Sequence, residues 1–395
     1  MQRIVLYVAF LILGMNYLLP FNTIINSYIF FTQIVGELPL SPEKTLLAVN
    51  GAYQIAAIII NSLSLMKIML FNGYERRIGI AVGVLSSLAF LTLGMLVWFK
   101  VSGLILLILF ILISFLTSSL QSIGDNCNLF FCNQHEHKHT LLLYATGINV
   151  SGTVYALLLI ALKAGHFSNR EFTMFSIYYA SAAAVLLLSP LLYYFVITKN
   201  LPVGGEWRQG GGSTTANGRF NREGFVLTLL ALFNFSITLF VFPSLAVRLE
   251  TYLPPQFNNV IVFLGYNASA LGGNLLALFI HLSSLKQLFF GILVRVILSI
   301  PFVVIYKHCL DNTYMTYIHY FCIVCVHGFS SGYLISCIFY YGNNLRNTLA
   351  NNILLIRLIN LAISFGLTLG MVFSLSFTYL IHKEENCSNS TSSVF

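Results

Sequence analysis

Three ionisable side chains interrupt otherwise apolar runs: Asp125, Arg295 and Arg357. A charged group in hydrocarbon is costly, so such residues face a bundle interior, pair with one another, or mark the path of a solute or proton. Asp125 belongs to a stripe. Gln121, Asp125 and Asn128 follow one another at spacings of four and three, which puts them on one helix face. That face must look onto a cavity or a partner helix rather than lipid. Two readings follow for the charges. In one, Asp125 pairs with Arg295 or Arg357 and locks the bundle. In the other, its carboxylate serves a bound solute or a coupled proton. Both arginines fall nearer the ends of their runs, where a long side chain can extend to the interface.

Uncharged polar residues extend the pattern. The run around 257–281 holds Tyr266, Asn267, Ser269, Gly272, Gly273 and Asn274. Glycines there would thin a helix and turn backbone polar groups toward a ligand, or allow close packing. Near the N-terminus, Leu18-Leu19-Pro20-Phe21-Asn22 sets an aromatic face and an amide beside a proline that frees a carbonyl. Asn149 lies among small residues in the fifth run. His135, His137 and His139 alternate in a short loop, and Cys322 and Cys325 form a lone CxxC. Neither has the companion ligands of a metal site, so no metal and no cofactor is expected. No P-loop, nucleophile elbow, HExxH or dinucleotide fingerprint occurs, which argues against an ATP-driven pump and against an enzyme.

The elements that must position these residues are membrane helices. Of 395 residues, 57% are hydrophobic and 8% charged, and mean hydropathy is +0.84. Lipid must be the solvent for most of that surface, which leaves helices or a closed barrel. The runs are about 20 residues long rather than alternating tens, so they are helices. Spans are expected near 4–31, 46–70, 76–99, 102–131, 140–163, 172–197, 224–247, 257–281, 287–306, 314–341 and 350–381. The first lacks a cleavage pattern and reads as a retained span.

The net charge of +8 forms no stripe that would suit a nucleic acid polymer. It sets topology instead. Arg3, Lys67, Arg76, Arg77, Lys138, Lys199, Arg208, Arg219, Arg222, Lys286 and Arg346 share one side. Glu37, Glu43, Glu171, Glu250, Asp311, Glu384 and Glu385 oppose them on the other. The positive-inside rule makes the first side cytoplasmic, with the N-terminus inside and the C-terminus external or lumenal. Sequons at Asn386 and Asn389 lie in that external tail. The glycine-rich stretch 198–223 reads as a flexible cytoplasmic linker. It divides a six-helix bundle (1–197) from a five-helix bundle (224–381) and a tail (382–395). Gly79/Gly83, Gly366/Gly370 and Gly147/Ser151 mark close helix contacts.

Several of these features, in order, resemble the equilibrative nucleoside transporter family. Leu18-Leu19-Pro20-Phe21-Asn22 is similar to its leucine-leucine-proline-aromatic-asparagine signature, and Leu120-Gln121 to its glutamine-bearing fourth helix. Thr146 to Gly152, Arg295 with Pro301, Ser331-Gly332-Tyr333-Leu334 and Gly366-Leu367-Thr368-Leu369-Gly370 match later helices. The resemblance implies a major-facilitator-like fold of two bundles and facilitated movement of nucleosides or nucleobases through a central site. It implies that Leu18 and Phe21 line the site and that Gln121 bonds the base. One departure stands out: Ser269 and Gly273 occupy the positions of the family's eighth-helix aspartate and arginine. That opens three readings, namely nucleobases as cargo, a substituted polar set, or a different cargo. Asp125 is a candidate for the missing carboxylate.

The expected substrate-binding set is thus Leu18, Phe21, Asn22, Gln121, Asp125, Asn149, Asn267, Ser269 and Asn274, and the partners are a small-molecule substrate and the bilayer. A multi-pass protein of the plasma membrane is expected, with an internal membrane as the alternative. Carriage of another polar solute such as an amino acid, and a non-transporting scaffold or receptor, remain as other readings.

Overall fold

The structure is a computed structural model. It describes residues 2–27, 30–31, 40, 42–65, 74–101, 103–134, 140–164, 170–197, 222–242, 255–308, 314–345 and 349–382. Every regular element among the described residues is helical. The helices are α1 (Gln2–Asn26), α2 (Pro42–Leu65), α3 (Glu75–Trp98), α4 (Gly103–Gln134), α5 (Thr140–Ala164), α6 (Glu171–Leu186), α7 (Arg222–Val241), α8 (Pro255–Phe279), α9 (Leu285–His308), α10 (Tyr314–Asn344) and α11 (Leu349–His382). After α6 a short helix, Leu188–Leu192, and a π-helical turn, Tyr193–Ile197, continue the same span. Among the described residues, eleven helices are long and apolar enough to cross a membrane, which matches the expected number. The histidine loop 135–139, the stretch 198–221, Cys309, Cys387 and the sequons at Asn386 and Asn389 lie outside the described residues.

Within the first six helices, α1 packs along α5, α2 along α4, and α3 against both α4 and α6. Within the last five, α7 packs along α11 and α9, and α8 along α10. The main seams between these groups are α5 against α8 and α2 against α11, with α4 also meeting α11 and α5 meeting α10.

Without a hydrophobic force between helices in lipid, close packing and internal hydrogen bonds must hold these pairs. Small residues make the approach possible. A Cβ on Gly14 would come 1.9 Å from the Tyr144 carbonyl oxygen, and one on Gly147 2.0 Å from that of Leu11. Backbone therefore meets backbone between α1 and α5. Gly366 and Gly370 do the same for α11 against α7, at Leu232 and Ser236.

On α8, Gly273 acts in this way too. The helix runs unbroken through Gly272 and Gly273. A Cβ on Gly273 would lie 2.1 Å from the Phe329 carbonyl oxygen, and one on Gly332 2.0 Å from that of Ala270. Of the two readings of these glycines, close packing is the one seen at Gly273, where the missing side chain admits the backbone of α10.

Candidate functional site

Helix α4 carries the stripe as expected, and its residues do different things. Gln121 is buried and donates to Ser86 Oγ on α3 at 3.1 Å. Asp125, 2% exposed, accepts from the Tyr144 hydroxyl of α5 at 2.5 Å and from the side-chain amide of Asn360 on α11. Asn128 donates to Tyr144 Oη at 3.4 Å and accepts from the Tyr193 hydroxyl. The Asn360 bond reaches from the first six helices to the last five. Of the two readings of Asp125, pairing with an arginine is not the one seen: among the described residues, Asp125 is held by a phenol and an amide.

Both arginines have other partners. Arg295 is fully buried at the middle of its span, Leu285–Val304, and so does not extend to the interface. Its guanidinium donates to the Asn234 backbone oxygen at 2.8 Å and to the Asn234 side-chain oxygen. It also donates to Thr238 Oγ1 at 3.1 Å and lies 3.4 Å from His327 Nδ1. His327 Nε2 is 3.2 Å from Ser299 Oγ, and that hydroxyl donates to the Arg295 carbonyl. With Arg295 donating to Nδ1, the imidazole carries its proton on Nε2. All these partners lie on α7, α9 and α10. Arg357 is half-buried and reaches the Ser64 carbonyl on α2 at 3.4 Å.

The α2–α11 seam holds polar residues that the stripe-based reading missed. Asn61 donates to Ser364 Oγ at 3.0 Å. Asn126 donates to Asn61 Oδ1 at 3.3 Å, and Ser64 to Asn126 Oδ1 at 3.1 Å. One helix face up from Asn61 lie Gln54 and Asn50, both buried. Asn50 Nδ2 approaches Met371 Sδ at 3.5 Å. The signal was in the sequence: Asn50, Gln54 and Asn61 fall at i, i+4 and i+11, one side of a helix.

The α5–α8 seam contains two more of the expected residues. Asn274 donates to the Ala145 carbonyl at 3.0 Å and accepts from Ser336 at 3.1 Å. Asn267 donates to the Phe263 carbonyl at 2.9 Å, and its side chain fills the place a Cβ on Gly152 would take, 2.4 Å away. The others are dispersed. Phe21 lies 5.3 Å from the Tyr53 ring, and Leu18 packs on the apolar cluster around it. Asn22 donates to Ser151 Oγ at 2.7 Å. Asn149 is half-buried. Ser269 donates back to the Tyr266 carbonyl at 2.9 Å and lies against α10 at Gly328, within its own group of helices.

Among the described residues, no three His, Cys, Asp or Glu side chains gather as a metal site would need. Cys132, beyond the end of its span, has its thiol pushed up by burial and then by the charge of Asp125, the opposite of a reactive thiolate. What the arrangement offers is a set of neutral amides and hydroxyls, one carboxyl and aromatic rings along two seams. That set suits a polar, uncharged solute.

Fold and site together define a class first: a helical, multi-pass membrane protein with a major-facilitator-like fold. The proton:xylose symporter XylE of that superfamily, bound to 6-bromo-6-deoxy-D-glucose, superimposes with a TM-score of 0.65 at 12% identity, covering 97% of this chain and 89% of the other. A bacterial homologue of the iron transporter ferroportin in an outward-facing state gives 0.61 at 14% identity, covering 95% of each chain. No curated protein matches the chain by sequence. A narrower finding concerns the last five helices: residues 224–379, from α7 into α11, match the family model described as nucleoside transporter. Leu18-Leu19-Pro20-Phe21-Asn22 and Gln121 lie outside the matched stretch.

Proposed function

We propose that the protein carries nucleosides, nucleobases or both by alternating access, the two groups of helices rocking about a site between them. The nucleoside-transporter match over residues 224–379 carries this reading. The geometry supports it: the contacts between the groups include side-chain hydrogen bonds that can be exchanged for bonds to a solute. Leu18 and Phe21 offer apolar and aromatic surface for a base. Gln121 reaches the base after leaving Ser86, an exchange of one neutral hydrogen bond for another that costs little. In this proposal the N-terminus faces the cytoplasm and the C-terminus the outside, with 198–223 as the linker.

One observation favours coupling to protons over simple facilitated flow. Asp125 is buried where the two groups meet, and among the described residues it accepts bonds only from neutral groups. A charge so placed is expensive unless paired, so a step that opens this seam to water also changes the cost of ionising it.

The test is uptake of radiolabelled adenosine, uridine and hypoxanthine by cells lacking their own carriers, at two pH values. Saturable uptake that Gln121→Ala abolishes at normal membrane expression is the expected result. Preference for hypoxanthine would fit the loss of the eighth-helix charges. Uptake unaffected by pH, or Asp125→Asn with an unchanged pH profile, removes the coupling. No uptake of any of the three by an inserted protein removes the nucleoside reading and favours another solute or a scaffold.

A further inference from the structure

We propose that Asn50 and Gln54 on α2 form a subsite for a heterocycle edge that presents an N–H beside an acceptor. This deepens the carrier reading and rests on it.

The two amides are one helical turn apart, so their side chains are neighbours on one face. That face meets α11: Asn50 Nδ2 reaches Met371 on one side, and Asn61 of the same face bonds Ser364 on the other. Asn50 and Gln54 are 6% and 1% exposed. Each keeps a polar atom without a partner, Oδ1 on Asn50 and Nε2 on Gln54. A buried acceptor and a buried donor left unpaired within one turn are costly in a membrane interior. Leucine at either position would remove that cost, and a Gln–Asn bond within the helix would reduce it. The arrangement gains its value when something else bonds both.

The depth is that of the expected site. Tyr53, between the two amides in sequence, lies 5.3 Å from Phe21, and its carbonyl accepts from Ser118 Oγ at 2.5 Å. Ser118 is one turn of α4 from Gln121. In this layer Gln121 has its amide nitrogen occupied by Ser86, whereas that of Gln54 is free. An acceptor and a donor side by side complement a ring N–H next to a carbonyl. That edge is common to uridine and hypoxanthine.

The test compares a substrate with its N-methylated analogue, which cannot donate from that edge. The pair is uridine and 3-methyluridine, or hypoxanthine and 1-methylhypoxanthine where only the base is carried. In the unaltered protein methylation should weaken competition for uptake about five- to tenfold, the value of one hydrogen bond. Asn50→Leu should raise KM for the parent by a similar factor and reduce the discrimination to below about twofold, as expected when substrate and protein changes remove the same bond. Gln54→Met should raise KM about five- to tenfold with Vmax and surface expression unchanged.

Unaltered KM in both variants, or full discrimination retained in Asn50→Leu, overturns the subsite while leaving the carrier reading intact. Failure of Gln54→Met to reach the membrane also overturns it, because the amide would then be serving the fold. Absence of uptake by the unaltered protein is the separate failure of the carrier reading.

Discussion

Two buried charges divide the labour of this molecule differently. Arg295 spends every described bond within its own group of helices, tying α7, α9 and α10 through Asn234, Thr238 and His327. Asp125 is bonded on one side to Tyr144 of its own group and on the other to Asn360 of the opposite group. Both sit among neutral partners, so neither gains from a salt bridge. The difference lies in whether the bonds would survive the proposed rocking of the two groups. Those of Arg295 would, since they stay within α7, α9 and α10. The Asp125–Asn360 bond would not, and so would weight one conformation over another. A ligand or a mutation shifts such an equilibrium only through interactions that differ between the two states.

The contrast is broken most directly at Arg295. Arg295→Leu strips the donors from Asn234, Thr238 and His327 and should cost several kcal/mol in sum, each hydrogen bond to a charged group being worth about 1.5–3 kcal/mol. Thermal unfolding in detergent should show it as a large fall in midpoint. Lysine should not rescue, since one ammonium cannot reproduce the guanidinium fork. A midpoint near that of the unaltered protein would mean that these bonds do not hold the group together.

Asn360→Leu probes the other side. It removes a bond to a carboxyl group, worth about 1.5–3 kcal/mol, only in the conformation where α4 and α11 meet. Folding should therefore be little altered while the equilibrium shifts toward separation of these helices. Distance measurement between spin labels on α2 and α11 would read the shift. A change in melting without a change in distance distribution would make Asp125 a structural residue like Arg295.

Gly152→Val sharpens the comparison at the second seam with a smaller energetic effect. The new side chain collides with Asn267 across α5 and α8. Overpacking of this kind costs about 1–3 kcal/mol, and only where the seam is closed. Uptake should fall with expression retained. Full activity would show that the seam has slack that the backbone can take up.

Most of the fold was legible because lipid imposes a simple rule. Apolar runs of helical length must be helices, and the eleven runs are eleven helices. The small-residue pairs were legible for the same reason: Gly147 and Gly366/Gly370 lie where helices touch. The stripe Gln121–Asp125–Asn128 also emerged as one buried surface. Partner choice was not legible. Asp125 and the arginines attract one another in any reading of charge alone. The chain separates them by placing Arg295 at mid-span on α9 and Asp125 beside Tyr144 and Asn360. Ser269 and Gly273 read as a vacated binding pair, but the rotation of α8 turns both toward α10. The amides of α2 were visible as a helical face, yet only an unpartnered polar atom on each set Asn50 and Gln54 apart from Asn61.

The sequence by itself determined the solvent, the element type, the number of spans and which helix faces are polar. Each of these depends on local composition and on a helical period that repeats along the chain. The tertiary structure decided which polar groups meet: Asp125 with Asn360, 235 positions apart, Arg295 with Asn234, 61 apart, and the amide end of Gln54 with none. Hydrogen bonds act over about 3 Å, so the outcome depends on the rotation and depth of each helix. Those are fixed by packing against neighbours far away in sequence.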